Sequence, residues 1–207
     1  MKKKFFFMFR SKCTSAPPRA GRWSRANVVF YTFVTCSALN GAAAKTATPV
    51  IEAHYSLSTM DGTQVDEHSY QGKWQLICFG FASCPDMCST VMQQVAGATN
   101  ELGSVSTQIQ PLFITLDPVH DSPAHLSSYL SQFDQRIVGL RGSKRQTLEA
   151  TKAFRMYFKT NMPVGGDETI DHSSFLFLLK PDGSFSSLLS GNTAGHALAS
   201  ELRRRLQ

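Results

Sequence analysis

Two thiols four residues apart, Cys84 and Cys88, carry the most specific chemical signal in this 207-residue chain. They follow an apolar run, Leu76-Ile77-Cys78-Phe79, that reads as a buried strand, and Pro85 comes directly after the first of them. Proline suits the first position of a helix, where its missing N–H is not needed. The pair therefore belongs to a strand-to-helix junction, and the i, i+4 spacing predicts both sulfurs on one face of a first helical turn. The partial positive charge of a helix N-terminus favours thiolate over thiol. Asp86, between the cysteines, opposes that shift.

Three chemistries fit such a pair: a structural disulfide, a redox dithiol, or two ligands of a soft metal. A disulfide closing so short a loop constrains little chain and stabilises little. Redox dithiols most often have two intervening residues rather than three. A structural zinc site wants four ligands, and there is no second cysteine pair. Cu(I) suits thiolates and is satisfied by few ligands, so two thiolates and one imidazole would make a compact site. Among six histidines, His125 and His196 fall in predicted helices and His68 in a predicted hairpin. His172 stands apart, following Asp171 where a Gly-containing loop, Thr160–Asp171, meets the apolar run Ser174–Leu179. On residues alone, metal and redox readings both stay open.

The elements that must position these groups are legible in order. His54–Leu57 and Gln64–Tyr70 flank Met60-Asp61-Gly62, a turn signal that predicts an N-terminal β-hairpin. Trp74–Phe81 reads as the central strand. Val91, Val95, Ala98 and Leu102 recur at helical spacing, with Gly103 as a stop. Pro111–Leu116 is a second apolar run suited to a parallel strand buried on both faces. Ser122-Pro123 opens a helix with Leu126, Leu130 and Phe133 inward. Ile137–Leu140 predicts a short strand, and Ser143 with Gln146 has capping-box spacing for a helix through Phe158. Strands Ser174–Leu179 and Phe185–Leu189 flank the turn Pro181-Asp182-Gly183, and a last helix runs from about Thr193 to Leu206. Alternating strands and helices with no internal repeat give one α/β domain with a mixed central sheet. Ligands in such folds gather at carboxyl ends of strands. Cys84, Cys88, Asp117 and Asp121 all fall just past strand ends, on what would be one rim.

The formal charge of +6 is confined to the head of the chain. Residues 1–44 hold eight basic residues and no acidic one, which leaves 13 basic against 15 acidic residues beyond them. That mildly acidic remainder excludes a nucleic-acid partner as the reason for the charge. The basic head, the apolar stretch Ala26–Leu39 and the small residues ending at Ala44 resemble a secretory signal; the Arg-rich, acid-free start is also shared with mitochondrial presequences. Residues 1–44 are thus expected to be a signal sequence or N-terminal membrane anchor, 45–53 a tether, and 54–207 the domain. Either address carries the domain across a membrane: to the periplasm, free or anchored to the inner membrane, or to the mitochondrial inner membrane facing the intermembrane space. With Cys13 and Cys36 in the head, three cysteines remain, an odd number that argues against a disulfide scaffold. Cys78, inside the strand, reads as a small buried hydrophobe.

Phe79-Gly-Phe-Ala-Ser-Cys-Pro-Asp-Met-Cys88, then Leu112-Phe-Ile-Thr-Leu-Asp-Pro118 with Asp121, Asp171-His172 and Pro181-Asp-Gly183 together resemble the SCO/SenC family. The likeness covers about Ser56 to Leu206. It implies a thioredoxin-like fold and a copper chaperone, carrying Cu(I), with Cu(II) second, to the copper-bearing subunit of cytochrome c oxidase or another copper protein with paired cysteines. It also implies Cys84, Cys88 and His172 as metal ligands, with Asp86, Asp117, Asp121 and Asp171 as supporting or partner-docking groups. A thiol–disulfide oxidoreductase using Cys84 and Cys88 is the alternative. The chain departs from the family pattern at Ser89, usually proline, and at His120, usually arginine, where a fixed charge and a forked donor are lost.

Overall fold

The computed structural model describes residues 51–84, 87–161 and 169–206. Nine strands and four α-helices are found among them: β1 Ser56–Thr59, β2 Gln64–Asp66, β3 Trp74–Gly80, α1 Met87–Glu101, β4 Ile109–Thr115, α2 Pro123–Leu130, β5 Val138–Arg141, α3 Lys144–Ala153, β6 Phe158–Asn161, β7 Thr169–His172, β8 Phe175–Leu179, β9 Phe185–Ser190 and α4 Gly195–Arg205. Seven strands form one mixed sheet in the order β2-β1-β5-β4-β3-β8-β9. β3 runs parallel to β4 and antiparallel to β8. The two most apolar runs thus occupy the middle, where a strand is covered on both faces.

Side chains alternate across the sheet and divide the core in two. Leu76 and Cys78 of β3, Phe113 of β4 and Leu176 and Leu178 of β8 face α1, α2 and α4 through Val91, Val95, Leu126, Leu130, Leu198 and Leu202. The alternate residues, Ile77, Phe79, Leu112, Ile114 and Phe177, face Tyr55, Ala150 of α3 and Phe154 just past its end. Phe79, Phe154 and Phe177 meet edge to face, with ring centroids 5.1 to 5.7 Å apart. The helix signals act as expected. Ser122 caps α2 with Pro123 as its first residue, and Ser143 and Gln146 form a reciprocal capping box on α3.

Three expectations need correction. α3 does not continue through Phe158 but ends at Ala153. Arg155 enters the left-handed region at φ 51°. The Met156 and Arg155 N–H groups then bond the Thr151 and Lys152 carbonyls, a Schellman stop made without the usual glycine. The segment 160–171 is not all loop: its described ends belong to β6 and β7, which pair antiparallel as a separate two-stranded sheet from Phe158↔His172 to Asn161↔Thr169. Phe158 and Ile170 seat this hairpin on the core face that holds Phe154. A six-residue 3-10 segment, Gly103–Gln108, also bridges α1 and β4 where only a stop is expected.

Candidate metal centre

β3 ends at Gly80, and the chain turns through Phe81–Cys84 before α1, the Cys84 N–H donating to the Phe81 carbonyl at 3.2 Å. Of the two, Cys88 lies in α1, whose described residues begin at Met87, and Cys84 lies outside it. Their sulfurs converge on one side, as the spacing predicts. Pro85 and Asp86 lie outside the described residues, so the proline start and the opposing carboxylate expected there go with them. Cys88 is 1% exposed and Cys84 partly exposed.

Gly80 makes the convergence possible. A Cβ there would stand 2.9 Å from Cys88 Sγ and 2.9 Å from Phe113 Cζ, closer than real Cβ atoms approach. Nothing in the pairing of thiols and histidine points to this residue; the available cue is a glycine inside an otherwise apolar strand, which often marks a close approach.

His172, at the end of β7, brings the third donor. Its Nδ1 lies 3.0 Å from the Ser173 carbonyl; a carbonyl only accepts, so Nδ1 carries the proton and Nε2 faces the sulfurs. Nε2 is 3.4 Å from Cys88 Sγ. The ring also stacks edge-on against Phe81, centroids 6.1 Å apart. One donor atom from each of Cys84, Cys88 and His172 falls within 4.8 Å of the others, the one such His/Cys/Asp/Glu group among the described residues.

The electrostatics centre on Cys84. The hydrogen bond to Cys84, followed by burial, pushes the Cys88 thiol far above its usual range. For His172 burial acts downward, but the bonds to Cys84 and to the Ser173 carbonyl outweigh it and hold the imidazole above its ordinary value. In both groups, contact with Cys84 favours the protonated form. A soft cation would replace those protons, since ligands bind it deprotonated. Cys78, 4% exposed in the core, is pushed up to about 12 by burial and then by Cys84.

The aspartates divide by role. Asp121 is 1% exposed. Its carboxylate accepts from the Ala82 N–H at 3.1 and 3.3 Å and from Thr115 Oγ1 at 2.5 Å, tying the cysteine turn to the end of β4. Asp117 instead holds His120, Oδ2 to Nδ1 2.7 Å, so the histidine that departs from the family pattern is engaged by the carboxylate three residues before it. Asp171 accepts from Asn161 Nδ2 at 2.6 Å across the hairpin, and its charge adds to the rise at His172.

A mixed sheet flanked by helices, with two thiols past the end of its central strand and an imidazole beside them, defines a thioredoxin-like domain with a Cys-Cys-His group suited to copper. The chain belongs to the SCO1/SenC family, whose model matches residues 43–207. It is 40% identical over 147 residues to the mitochondrial protein SCO1 of Saccharomyces cerevisiae, covering 70% of this chain and 50% of the relative. It is 29% identical over 163 residues to the mitochondrial SCO1 homolog of Homo sapiens, covering 77% and 54%. The chain spans about half the length of these relatives. Among solved structures it is similar to yeast Sco1 with copper bound, TM-score 0.69 at 35% identity over 76% of this chain and 89% of that one. It is likewise similar to Bradyrhizobium japonicum ScoI with copper bound, TM-score 0.68 at 31% identity over 74% and 98%.

Proposed function

We propose that this protein is a copper metallochaperone: it carries Cu(I) between Cys84 Sγ, Cys88 Sγ and His172 Nε2 and passes it to the binuclear copper centre of cytochrome c oxidase or to a similar copper protein with paired cysteines. The observation that carries the reading is the approach of two sulfurs and one imidazole nitrogen to within 4.8 Å, with the far nitrogen of the ring tied to a backbone carbonyl. That second bond fixes the tautomer and aims Nε2, as it does for metal-bound histidines in general. Two thiolates and a neutral imidazole leave Cu(I) with a net charge of −1, which favours exchange onto an acceptor presenting its own thiols. Asp121 holds the cysteine turn in place, while Asp86, Asp117 and Asp171 serve the rim as supporting or docking groups.

Residues 1–44 act as the signal or membrane anchor and 45–53 as the tether, so the domain works beside a membrane. Relatives named as mitochondrial support the inner membrane facing the intermembrane space over the periplasm. Among the described residues no helix is long and apolar enough to cross a membrane, and the expected anchor lies outside them. The alternative, a thiol–disulfide oxidoreductase acting on the partner's cysteines, draws on the same close sulfurs but has no need of His172.

His172→Ala separates the two. Competition for Cu(I) against a chromophoric chelator should show affinity reduced by roughly tenfold or more, with disulfide reduction of a model substrate unchanged. Wild-type copper affinity in this variant would rule out the three-ligand carrier.

A further inference from the structure

A second constellation lies at the other end of β3. Glu67, just after β2, is 9% exposed, and its carboxylate is approached by two imidazoles from different segments. His54 Nδ1 lies 2.6 Å from Glu67 Oε1, and His68 Nε2 lies 3.6 Å from the same oxygen. The carboxylate is held in place independently of them. Its other oxygen accepts the Tyr55 N–H at 3.2 Å, and the Glu67 carbonyl accepts Gln75 Nε2 at 2.7 Å. Gly183 leaves room for the arrangement: a Cβ there would meet the Glu67 carbonyl oxygen at 2.7 Å and His68 Nδ1 at 3.1 Å. The Nδ1 edge of His68 therefore lies against this turn, and Nε2 faces the carboxylate.

We propose that His54, Glu67 and His68 form a second metal site, for a borderline divalent transition ion such as Cu(II) or Zn(II). Two neutral imidazoles and one carboxylate oxygen are the donors such ions prefer, whereas Cu(I) selects thiolates. The carboxylate is buried, whereas the two imidazoles are 63% and 56% exposed; unlike the thiol group, the three donors do not all lie within 4.8 Å of one another here, so both rings must swing inward on the carboxylate to make metal bonds of about 2.0–2.2 Å. Solvent access on the imidazole side leaves open positions for water. A metal here takes the place of the hydrogen bond between His54 Nδ1 and Glu67 Oε1; the His54 ring proton moves to Nε2, so no proton is lost and a divalent ion turns the site's charge from −1 to +1. Gln75 is the second residue of β3 and Cys84 lies beyond its last, so the two sites are separated by the length of that strand, about 20 Å. The proposal does not rest on copper transport by the thiols.

The test uses the full chain carrying Cys84→Ser and Cys88→Ser, titrated with Cu(II) and followed by electron paramagnetic resonance. One Cu(II) per chain should bind with nitrogen hyperfine structure from imidazole. His54→Gln and His68→Gln, which keep side-chain polarity at exposed positions, should each weaken binding about tenfold or more with circular dichroism unchanged. Absence of binding in the parent, or parent-like affinity in either glutamine variant, overturns the site.

Discussion

Replacing Asp121 with alanine is the sharpest probe of how the cysteine turn is held. The change strips the acceptor from two donors at once: the Ala82 N–H, two residues before Cys84, and the Thr115 hydroxyl, which in turn accepts the Asp117 N–H at 3.0 Å. Thr115 is fully buried and Ala82 partly so. A buried donor left unpaired costs about 1–3 kcal/mol, so the two together predict a loss of roughly 2–6 kcal/mol, a large fraction of the ~5–15 kcal/mol typical of a domain. Asp121→Asn keeps one acceptor oxygen and should lose about 1–2 kcal/mol. Urea unfolding of the metal-free protein measures both, and the order alanine worse than asparagine is part of the expectation. Because the freed N–H sits in the turn that presents Cys84, Cu(I) affinity should fall alongside stability in the alanine variant. A stability loss below about 1 kcal/mol for alanine, or an intact copper affinity with the full loss of stability, would refute the argument that this carboxylate positions the turn.

Gly80→Ala should lower the melting temperature and cost about 1–3 kcal/mol through overpacking, because the new methyl meets Cys88 Sγ and Phe113 at 2.9 Å. Thiol-reactivity kinetics should show Cys88 displaced and more exposed. A pH dependence follows from Asp134, whose carboxyl is held below its ordinary 3.8 by Arg136, Nε to Oδ1 2.9 Å. A depressed carboxyl contributes stability that is present above the unfolded value of 3.8 and lost as pH falls through the folded value. Acid unfolding of Asp134→Asn at low salt should therefore show a shallower loss of stability below about pH 4 than wild type, and parallel curves would contradict it.

The sequence was most legible where one local rule decides the structure. The apolar runs became the central parallel strands, and the two cap signals at Ser122 and Ser143 became helix starts. Cys84 and Cys88 were legible because thiols at this spacing are chemically conspicuous, but the burial of Cys88 was not. The contact that allows it depends on what faces Gly80, a non-local matter. His172 could be singled out but not placed, since the strand that carries it pairs with one hidden behind an arginine-stopped helix. A Schellman stop with Arg155 in the left-handed conformation has no compositional signature, so the hairpin β6–β7 read as helix and loop. Asp121 is marked in the sequence only by its place past a strand end; its bracing role comes from Ala82 and Thr115, distant in sequence, meeting at its carboxylate.

The hairpin also divides the proposed site mechanically. Cys84 and Cys88 are fastened to β3, α1 and, through Asp121, β4, whereas His172 rides on a two-stranded sheet of its own. An isolated pair of strands is marginal without packing beneath it, and here Phe158 and Ile170 supply that packing. In the proposed carrier, the lifetime of a copper–imidazole bond would be set by a local opening of this hairpin, cheaper than global unfolding. On that proposal release rate and fold stability would be separate quantities, and substitutions under the hairpin would change the timing of release without moving the unfolding midpoint of the domain.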